Sequence, residues 1–432
     1  MDHLMSSVES GDHLHWACVS GAPDYLIRRL TEYADLRREA GQPLYDVHIS
    51  HLYTEGYADY VLPEYADTFR LESFFVGGNV RKATQQGFAD YIPCSLSDTS
   101  RLVRSGVCRC DGVLLMVSEP DEEGFVSLGT SVDYMPAAIE RARYAVVQIN
   151  KHVPFCYGDG VLKLTDDGII RRDGSLLPAR IVHHDQPLAE AAPQPLSDTD
   201  IAIGRNVASL IPDGATLQIG IGNIPTAVLA QLHDHKHLGV HSEMFTDDVI
   251  PLVEEGVIDG SMKKTDPGKL VAMFLKGGKK LYDFVDRNKQ VELRDVWYTN
   301  NPAVIAQNPK VVAINSAIEV DLTGQVCADS MGHRIFSGSG GQLDFMLGAS
   351  YSDGGIPIIA MPSMTGKGVS KLVVSLTTGA GVVTPRTVVR WVVTEYGAVN
   401  LWGCAAEERA RRLISIAHPS VREELAKAWA EK

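Results

Sequence analysis

Basic residues are what this sequence has too few of. Lysine and arginine together number 40 against 54 aspartates and glutamates, a formal net charge of −14. A chain with that balance does not draw nucleic acid onto its surface as a whole, although a local basic pocket can still hold an anionic ligand. Long apolar runs are also missing. None approaches the roughly 18 residues a membrane span requires, so no membrane partner is expected. The opening Met1-Asp2-His3 lacks the basic-then-apolar layout of a secretory leader. Cysteine is sparse and unpatterned: seven residues, at 18, 94, 108, 110, 156, 327 and 404, with no C-x-x-C spacing. That excludes a disulfide framework and makes the cytoplasm the expected location. With 45% hydrophobic and 22% charged residues and a mean hydropathy of −0.04, global disorder is excluded too.

What is present is length and an internal echo. A chain of 432 residues suits two domains of roughly 200 residues each. Gly11-Asp12-His13-Leu14 is echoed by Gly214-Ala215-Thr216-Leu217. Phe74 to Gly78 is echoed by Phe274 to Gly278, and a D-x-x-G-x-V pattern occurs at Asp121–Val126 and again at Asp321–Val326. Several matches in one order, at an offset near 200, argue for a duplication. Between the halves lies a Pro/Ala/Asp-rich stretch without apolar periodicity, which reads as a linker. The expected division is 1–185, a linker at 186–198, and 199–432.

Short β-branched runs alternate with helical patterns in each half, predicting two similar open α/β domains with largely parallel sheets. In the second half the strands are expected at 216–219, 238–241, 270–275, 311–315, 356–360 and 388–394. Pro225 suits the first turn of a helix carrying Ala227, Val228, Leu229 and Leu232. Ser420 and Glu423 form a capping-box pattern for the last helix.

The richest segment is Leu217-Gln218-Ile219-Gly220-Ile221-Gly222-Asn223-Ile224-Pro225, a strand running into glycines and a helix start. Glycines let a backbone approach a ligand, and a helix start offers unpaired N–H groups, so the loop can bind an anion or stabilise an oxyanion. The matching stretch of the first half, Trp16 to Ser20, has no glycine. The second half is therefore expected to carry the chemistry. There Glu243 follows the strand ending at His241, at the carboxyl edge where open α/β sheets place ligands. Thr54-Glu55-Gly56 is its analogue in the first half. A second glycine loop, Ser337-Gly338-Ser339-Gly340-Gly341, can be braced by Asp344. Lys276, Lys279, Lys280 and Lys367 adjoin glycines where they could neutralise phosphates.

Rival readings attach to the same residues. Gly220-x-Gly222 with Glu243 21 residues later imitates a dinucleotide fingerprint, but Pro225 stands at its third position, where Gly or Ala is needed. His233-Asp234-His235-Lys236-His237 looks like a metal cluster, yet histidines also suit the negative end of a helix. No metal is expected. His241 reads as a packed strand residue, and Cys108-x-Cys110 has the wrong spacing for zinc or redox work. Tyr134 is a candidate for the acyl side of a cleft.

In order along the chain, Gly220 to Pro225, His241-Ser242-Glu243-Met244, Asn300-Asn301-Pro302 and Phe336 to Phe345 resemble the acetyl-CoA hydrolase/transferase family of class I CoA-transferases. The likeness is greatest to 4-hydroxybutyrate and butyryl-CoA:acetate CoA-transferases. It extends to Met116-Val117-Ser118-Glu119-Pro120, Val393 to Gly397 and Ile416 to Pro419. The resemblance implies an active site in an inter-domain cleft. It implies Glu243 as nucleophile, forming a glutamyl-CoA thioester in ping-pong transfer from a short-chain acyl-CoA to a carboxylate such as acetate. It assigns Gly220, Ile221, Gly222, Asn223 and Ile224 to CoA, with the N–H groups of Ile224 and Gly341 as oxyanion donors. Asn300, Ser337 and Lys367 are further CoA contacts on the same grounds. Coenzyme A thioester enters as substrate, and no tightly bound cofactor is expected. A homodimer or larger homo-oligomer is the default assembly. Net hydrolysis of acyl-CoA and a non-catalytic metabolite-binding module are the alternatives.

Overall fold

The computed structural model describes residues 3–192 and 194–432; Met1 and Asp2 of the opening segment and Pro193 of the expected linker lie outside the described residues. The chain divides into two compact units, Met1–Ala191 with Ala272–Tyr298, and Ala192–Val271 with Thr299–Lys432. This differs from the contiguous division expected, because residues 272–298 return to the first unit. Their backbone groups find partners there: Val132 N–H donates to Met273 O at 2.9 Å, Leu275 N–H donates to Thr130 O at 2.8 Å, and Val291–Leu293 pairs with Tyr157–Gly158. A buried segment belongs wherever its N–H and C=O groups are satisfied.

The stretch read as a linker also begins as part of the first unit. Asn150 Nδ2 donates to Gln186 O at 2.9 Å, and Ala191 N–H donates to Gly277 O.

In the first unit seven parallel strands run in the order Ala89–Tyr91, Phe69–Ser73, Val47–Ser50, His13–Trp16, Gly112–Val117, Tyr144–Ile149 and Leu176–His183. An antiparallel extension follows, Gly168–Ile170, Val161–Thr165 and Phe125–Ser127. In the second unit the order is Leu270–Ala272, Gly239–His241, Thr216–Gln218, Val311–Asn315, Ile356–Ala360 and Trp391–Thr394, all parallel, with Gly397–Asn400 antiparallel at the edge. Both sheets put the earliest strand in the middle, the next ones (three in the first unit, two in the second) on one side and the later ones on the other. The order reverses beside that first strand, where the carboxyl ends leave a crevice.

The internal echo is therefore a repeated topology. The D-x-x-G-x-V pattern is a turn made twice. Asp121 Oδ1 accepts from Glu123 and Phe125 N–H, and Asp321 Oδ1 accepts from Thr323 and Gln325 N–H. The glycine is required at both places, with φ of 77° at Gly124 and 95° at Gly324.

Strands at 311–315 and 356–360 fall on the expected residues. The run 270–275 breaks at Met273, whose carbonyl serves Val132 and Asp133. The last helix starts at Arg422 without the expected Ser420 capping box; His418 Nδ1 accepts the Ser420 N–H and caps a short turn at Pro419–Val421 instead. A capping box does form at Ser197 and Asp200, opening helix Asp198–Ala208. Among the described residues no helix is long and apolar enough to cross a membrane.

Candidate active site

The second unit's sheet reverses order between Thr216–Gln218 and Val311–Asn315. At their carboxyl ends Asn315 Nδ2 donates to Gln218 Oε1 at 2.9 Å, closing the floor of the crevice. Past Gln218 the chain enters the first glycine loop. Gly222 has φ 106° and ψ −176°, a backbone that favours glycine, and nothing lies within 4 Å of where its Cβ would be.

Helix Asn223–Leu229 follows, with Pro225 in its first turn as expected. Two polar contacts hold it: Asn223 Nδ2 donates to Asp200 Oδ2 at 3.1 Å, and Thr226 Oγ1 donates to Asp248 Oδ2 at 2.6 Å. Asn223 thus directs its side chain at the helix capped by Ser197. Gly204 lets that helix come close, since a Cβ there would stand 2.6 Å from Ala227 O.

Glu243 emerges two residues after the strand Gly239–His241. Two groups donate to its carboxylate: Asn300 Nδ2, 3.3 Å from Oε2, and the backbone N–H of Gly341. The residue retains some exposure, so a substrate can reach it. Its carboxylate nevertheless sits among packed atoms, and this desolvation pushes its pKa up to about 7. The Asn300 and Gly341 donors oppose the rise, while the negative charge of Asp344 adds to it.

Asn300 is aimed by its neighbours. His241, buried under the strand end, bonds through Nε2 to Thr299 O at 2.8 Å and meets the Phe345 ring edge-on. Asn301 caps helix Pro302–Ile305, its Oδ1 accepting from Ala303 N–H. The backbone is fixed on both sides of Asn300, whose side chain is fully enclosed. His241 is the packed residue the sequence suggested, and its contact with Thr299 gives it a structural reason the motif did not disclose.

Gly341 is set by the helix Gln342–Tyr351 that starts after it. Gln342 Nε2 donates to Ser316 O at 2.6 Å and its Oε1 accepts from Thr384, anchoring the helix to the sheet edge. A side chain at 341 would collide with both Glu243 and Asn300. The second glycine loop therefore has a steric requirement, beyond being a turn.

Glu243, Asn300 and Gly341 are brought together. Ser337 and Lys367, in the same unit, make other contacts. Ser337 Oγ reaches Ala328 O and Gly338 O. Lys367 stands on an exposed turn, its N–H donating to Thr365 Oγ1. Gly220 and Ile221 lie in the open loop, Ile221 being exposed, and Ile224 is the second residue of helix Asn223–Leu229. The carboxylates, imidazoles and thiols among the described residues form no cluster able to hold a metal ion. The His233–His237 stretch is a loop beyond the helix end, where His233 pairs with Glu255 and His237 with Asp259.

Two first-half candidates remain, and the first differs from expectation. Tyr134 is fully enclosed in its unit's core, its hydroxyl donating to Ser50 O and meeting His15 Nδ1, so it lines no open surface. Glu55, the analogue of Glu243, is paired at 2.5 Å with Lys276. Burial would raise its pKa, but Lys276 and the Tyr53 hydroxyl hold it below the usual glutamate value. Lys276 is thereby occupied, as Lys279 is by Asp283.

Family models match both parts of the chain: the acetyl-CoA hydrolase/transferase N-terminal domain at residues 1–188 and the corresponding C-terminal domain at 277–429. A succinyl-CoA:acetate/propanoyl-CoA:succinate CoA transferase of Fasciola hepatica is 46% identical over 95% of this chain and 82% of its own length. The 4-hydroxybutyrate coenzyme A transferase of Clostridium kluyveri is 43% identical over 98% of this chain and 95% of its own. The crystal structure of 4-hydroxybutyrate CoA-transferase from Porphyromonas gingivalis superposes with a TM-score of 0.78 at 35% identity, covering 99% of this chain and 95% of that one.

Proposed function

We propose, for a chain that belongs to the acetyl-CoA hydrolase/transferase family, that it is a CoA-transferase working by ping-pong exchange through a thioester on Glu243. The observation that carries the mechanism is the pair of donors, Asn300 Nδ2 and Gly341 N–H, on a desolvated glutamate at the crevice of the sheet.

A carboxylate oxygen of Glu243 attacks the carbonyl carbon of an acyl-CoA. The tetrahedral intermediate collapses by breaking the C–S bond, leaving an acyl–glutamyl anhydride and CoA thiolate. The thiolate then attacks the γ-carbonyl carbon of Glu243 and expels the acyl group as its free carboxylate. Glutamyl-CoA remains, and an incoming acid reverses both steps to leave with CoA. When the thiolate attacks, negative charge develops on a Glu243 oxygen, where Asn300 and Gly341 already donate. Such prepositioned donors need no reorganisation at the moment of reaction. The Ile224 N–H, at the open start of its helix, is assigned to the oxyanion formed on the substrate carbonyl.

The remaining assignments concern CoA and the acids. The backbone from Gly220 to Ile224 carries part of the CoA, with Ser337 and Lys367 as further contacts. Binding energy from the distant nucleotide and pantetheine presses the thioester onto the carboxylate. The donors are 4-hydroxybutyryl- or butyryl-CoA and the acceptor is acetate or a similar short acid. Relatives named for succinyl and propanoyl substrates make those acids part of the same panel. No tightly bound cofactor takes part. The enzyme acts in the cytoplasm as a homodimer or larger homo-oligomer.

Incubation with acyl-CoA in the absence of acceptor tests this reading. Mass spectrometry should find CoA on the peptide containing Glu243, and borohydride should reduce the thioester there. A Glu243→Ala enzyme with full transferase activity would sink it. Net hydrolysis is the second reading within the family, and it predicts CoA release that does not depend on acetate. A binding module would hold ligand without any adduct.

A further inference from the structure

Ser242 does something in this structure that neither the motif nor the transfer chemistry assigns to it. Strand Thr216–Gln218 pairs in parallel with Gly239–His241, in the register Thr216 with Gly239 and Leu217 with Val240. At the next residues the parallel pairing ends: Ile219 faces Met244 in an isolated antiparallel bridge, and the chains then part, one into the glycine loop and the other past Glu243. Where the parallel ladder changes over, N–H and C=O groups need partners, and at Ile219, which is 2% exposed, water cannot supply them.

The Ser242 hydroxyl fills both roles. Ile219 N–H donates to Ser242 Oγ at 3.0 Å, and Ser242 Oγ donates to Ile219 O at 2.9 Å. On the other side Ser242 N–H donates to Val271 O at 3.0 Å, continuing the sheet. The side chain is completely enclosed. The residue before Glu243 is thus bonded to the strand on either side, and the residue before Gly220 is held through both of its backbone polar groups.

We propose that Ser242 is a positioning residue that locks the first glycine loop and the nucleophile into one register, so that loop donors and Glu243 carboxylate keep a constant separation. The role rests on the glutamyl-CoA reading above. Alanine at 242 removes both hydroxyl bonds to the buried Ile219 backbone, which loosens the loop from the strand that carries Glu243. A displacement of about 1 Å in such a site costs on the order of 10²-fold in rate.

The test uses the full-length enzyme, butyryl-CoA without acceptor, and the variants Ser242→Ala, Ser242→Thr and Ser242→Cys. Rapid-quench mass spectrometry follows the Glu243 adduct, and hydrogen exchange follows the amides of residues 216–222. In Ser242→Ala the adduct should form about 10²-fold more slowly. Its half-saturating butyryl-CoA concentration should move by less than about threefold, as a loss felt mainly in the transition state requires. The Ile219 amide should exchange at least about tenfold faster. Threonine keeps the hydroxyl and should restore both rate and protection.

A wild-type adduct rate in Ser242→Ala would overturn the proposal, as would a threonine variant as slow as alanine. Should the alanine variant fail to fold, threonine against cysteine draws the same contrast, because a thiol is a weak hydrogen-bonding group of similar shape. A wild-type enzyme that forms no adduct overturns the glutamyl reading and this role with it. A labelled wild type beside an unaffected alanine variant overturns this role alone.

Discussion

Gly341 lies so close to Glu243 that a single methyl group on its Cα would stand 2.2 Å from the Glu243 carboxylate oxygen Oε2 and 2.3 Å from Asn300 Nδ2. Its φ of −87° is open to any residue, so the glycine is required by the space around the nucleophile. Gly341→Ala should leave the fold intact, shifting Tm by only a few degrees, and lower the rate of adduct formation by 10² or more, on the order of the loss of one oxyanion donor. Single-turnover kinetics and a thermal melt check the two halves of that expectation.

The pH profile follows from the same crowding. Desolvation pushes Glu243 up to about 7 from a usual 4.5, against the Asn300 and Gly341 donors. The nucleophile is the ionised form, so kcat/KM for the acyl-CoA donor should rise with pH through an apparent pKa near 7 and level off above it. A profile flat from pH 5 to pH 8 (an interval of about three units around that value) would contradict the assignment.

Stability carries the opposite sign. Because the folded-state pKa lies above the unfolded one, the contribution of Glu243 is fully present below about pH 4.5 and lost as pH rises through about 7. Glu243→Gln removes that dependence. It should match the wild type near pH 4.5 and exceed it at pH 8, by roughly 2 kcal/mol once the residue's partial exposure is allowed for. Denaturant titrations at the two pH values make the comparison.

Asn300→Asp should be worse than Asn300→Ala. Each loses the 3.3 Å donor to Glu243 Oε2, at a cost near 10²- to 10³-fold in adduct formation. Aspartate also adds a like charge, which disfavours ionisation of Glu243. The pH profile of the aspartate variant should therefore move upward, measured by kcat/KM across pH.

His241 gives a more selective test. Its ring holds Thr299 O and packs on Phe345, so His241→Asn or His241→Gln should slow adduct formation about tenfold by loosening Asn300. Since the ring exchanges no proton with substrate, the pKa of the pH profile should stay in place. A profile that lost one limb would make His241 a base.

Much of this was legible in the residues, and what was not has a physical explanation. Gly220-x-Gly222 after a β-branched run announced a strand-to-loop passage, because such chemistry is local. Val311–Asn315 and Ile356–Ala360 were equally plain, being buried on both faces. The Ser420 capping box failed because His418, outside that pattern, reached the same N–H. Tyr134 was a candidate for the acyl side of a cleft, and only packing revealed that its hydroxyl is used up on Ser50 and His15.

By itself the sequence determined the α/β class, the duplication and the presence of a carboxylate beside glycine loops, since periodicity, turn chemistry and motif order are properties of neighbours along the chain. Tertiary structure decided that residues 272–298 return to the first unit, where their backbone groups are satisfied. It also decided which carboxylate is poised. Glu55 meets a lysine 221 positions away, which holds it ionised, whereas Glu243 meets an amide 57 positions away and a glycine N–H in a desolvated crevice. Two glutamates at analogous strand ends acquire opposite pKa shifts, because the balance between desolvation and the nearest charge depends on groups that only folding brings together.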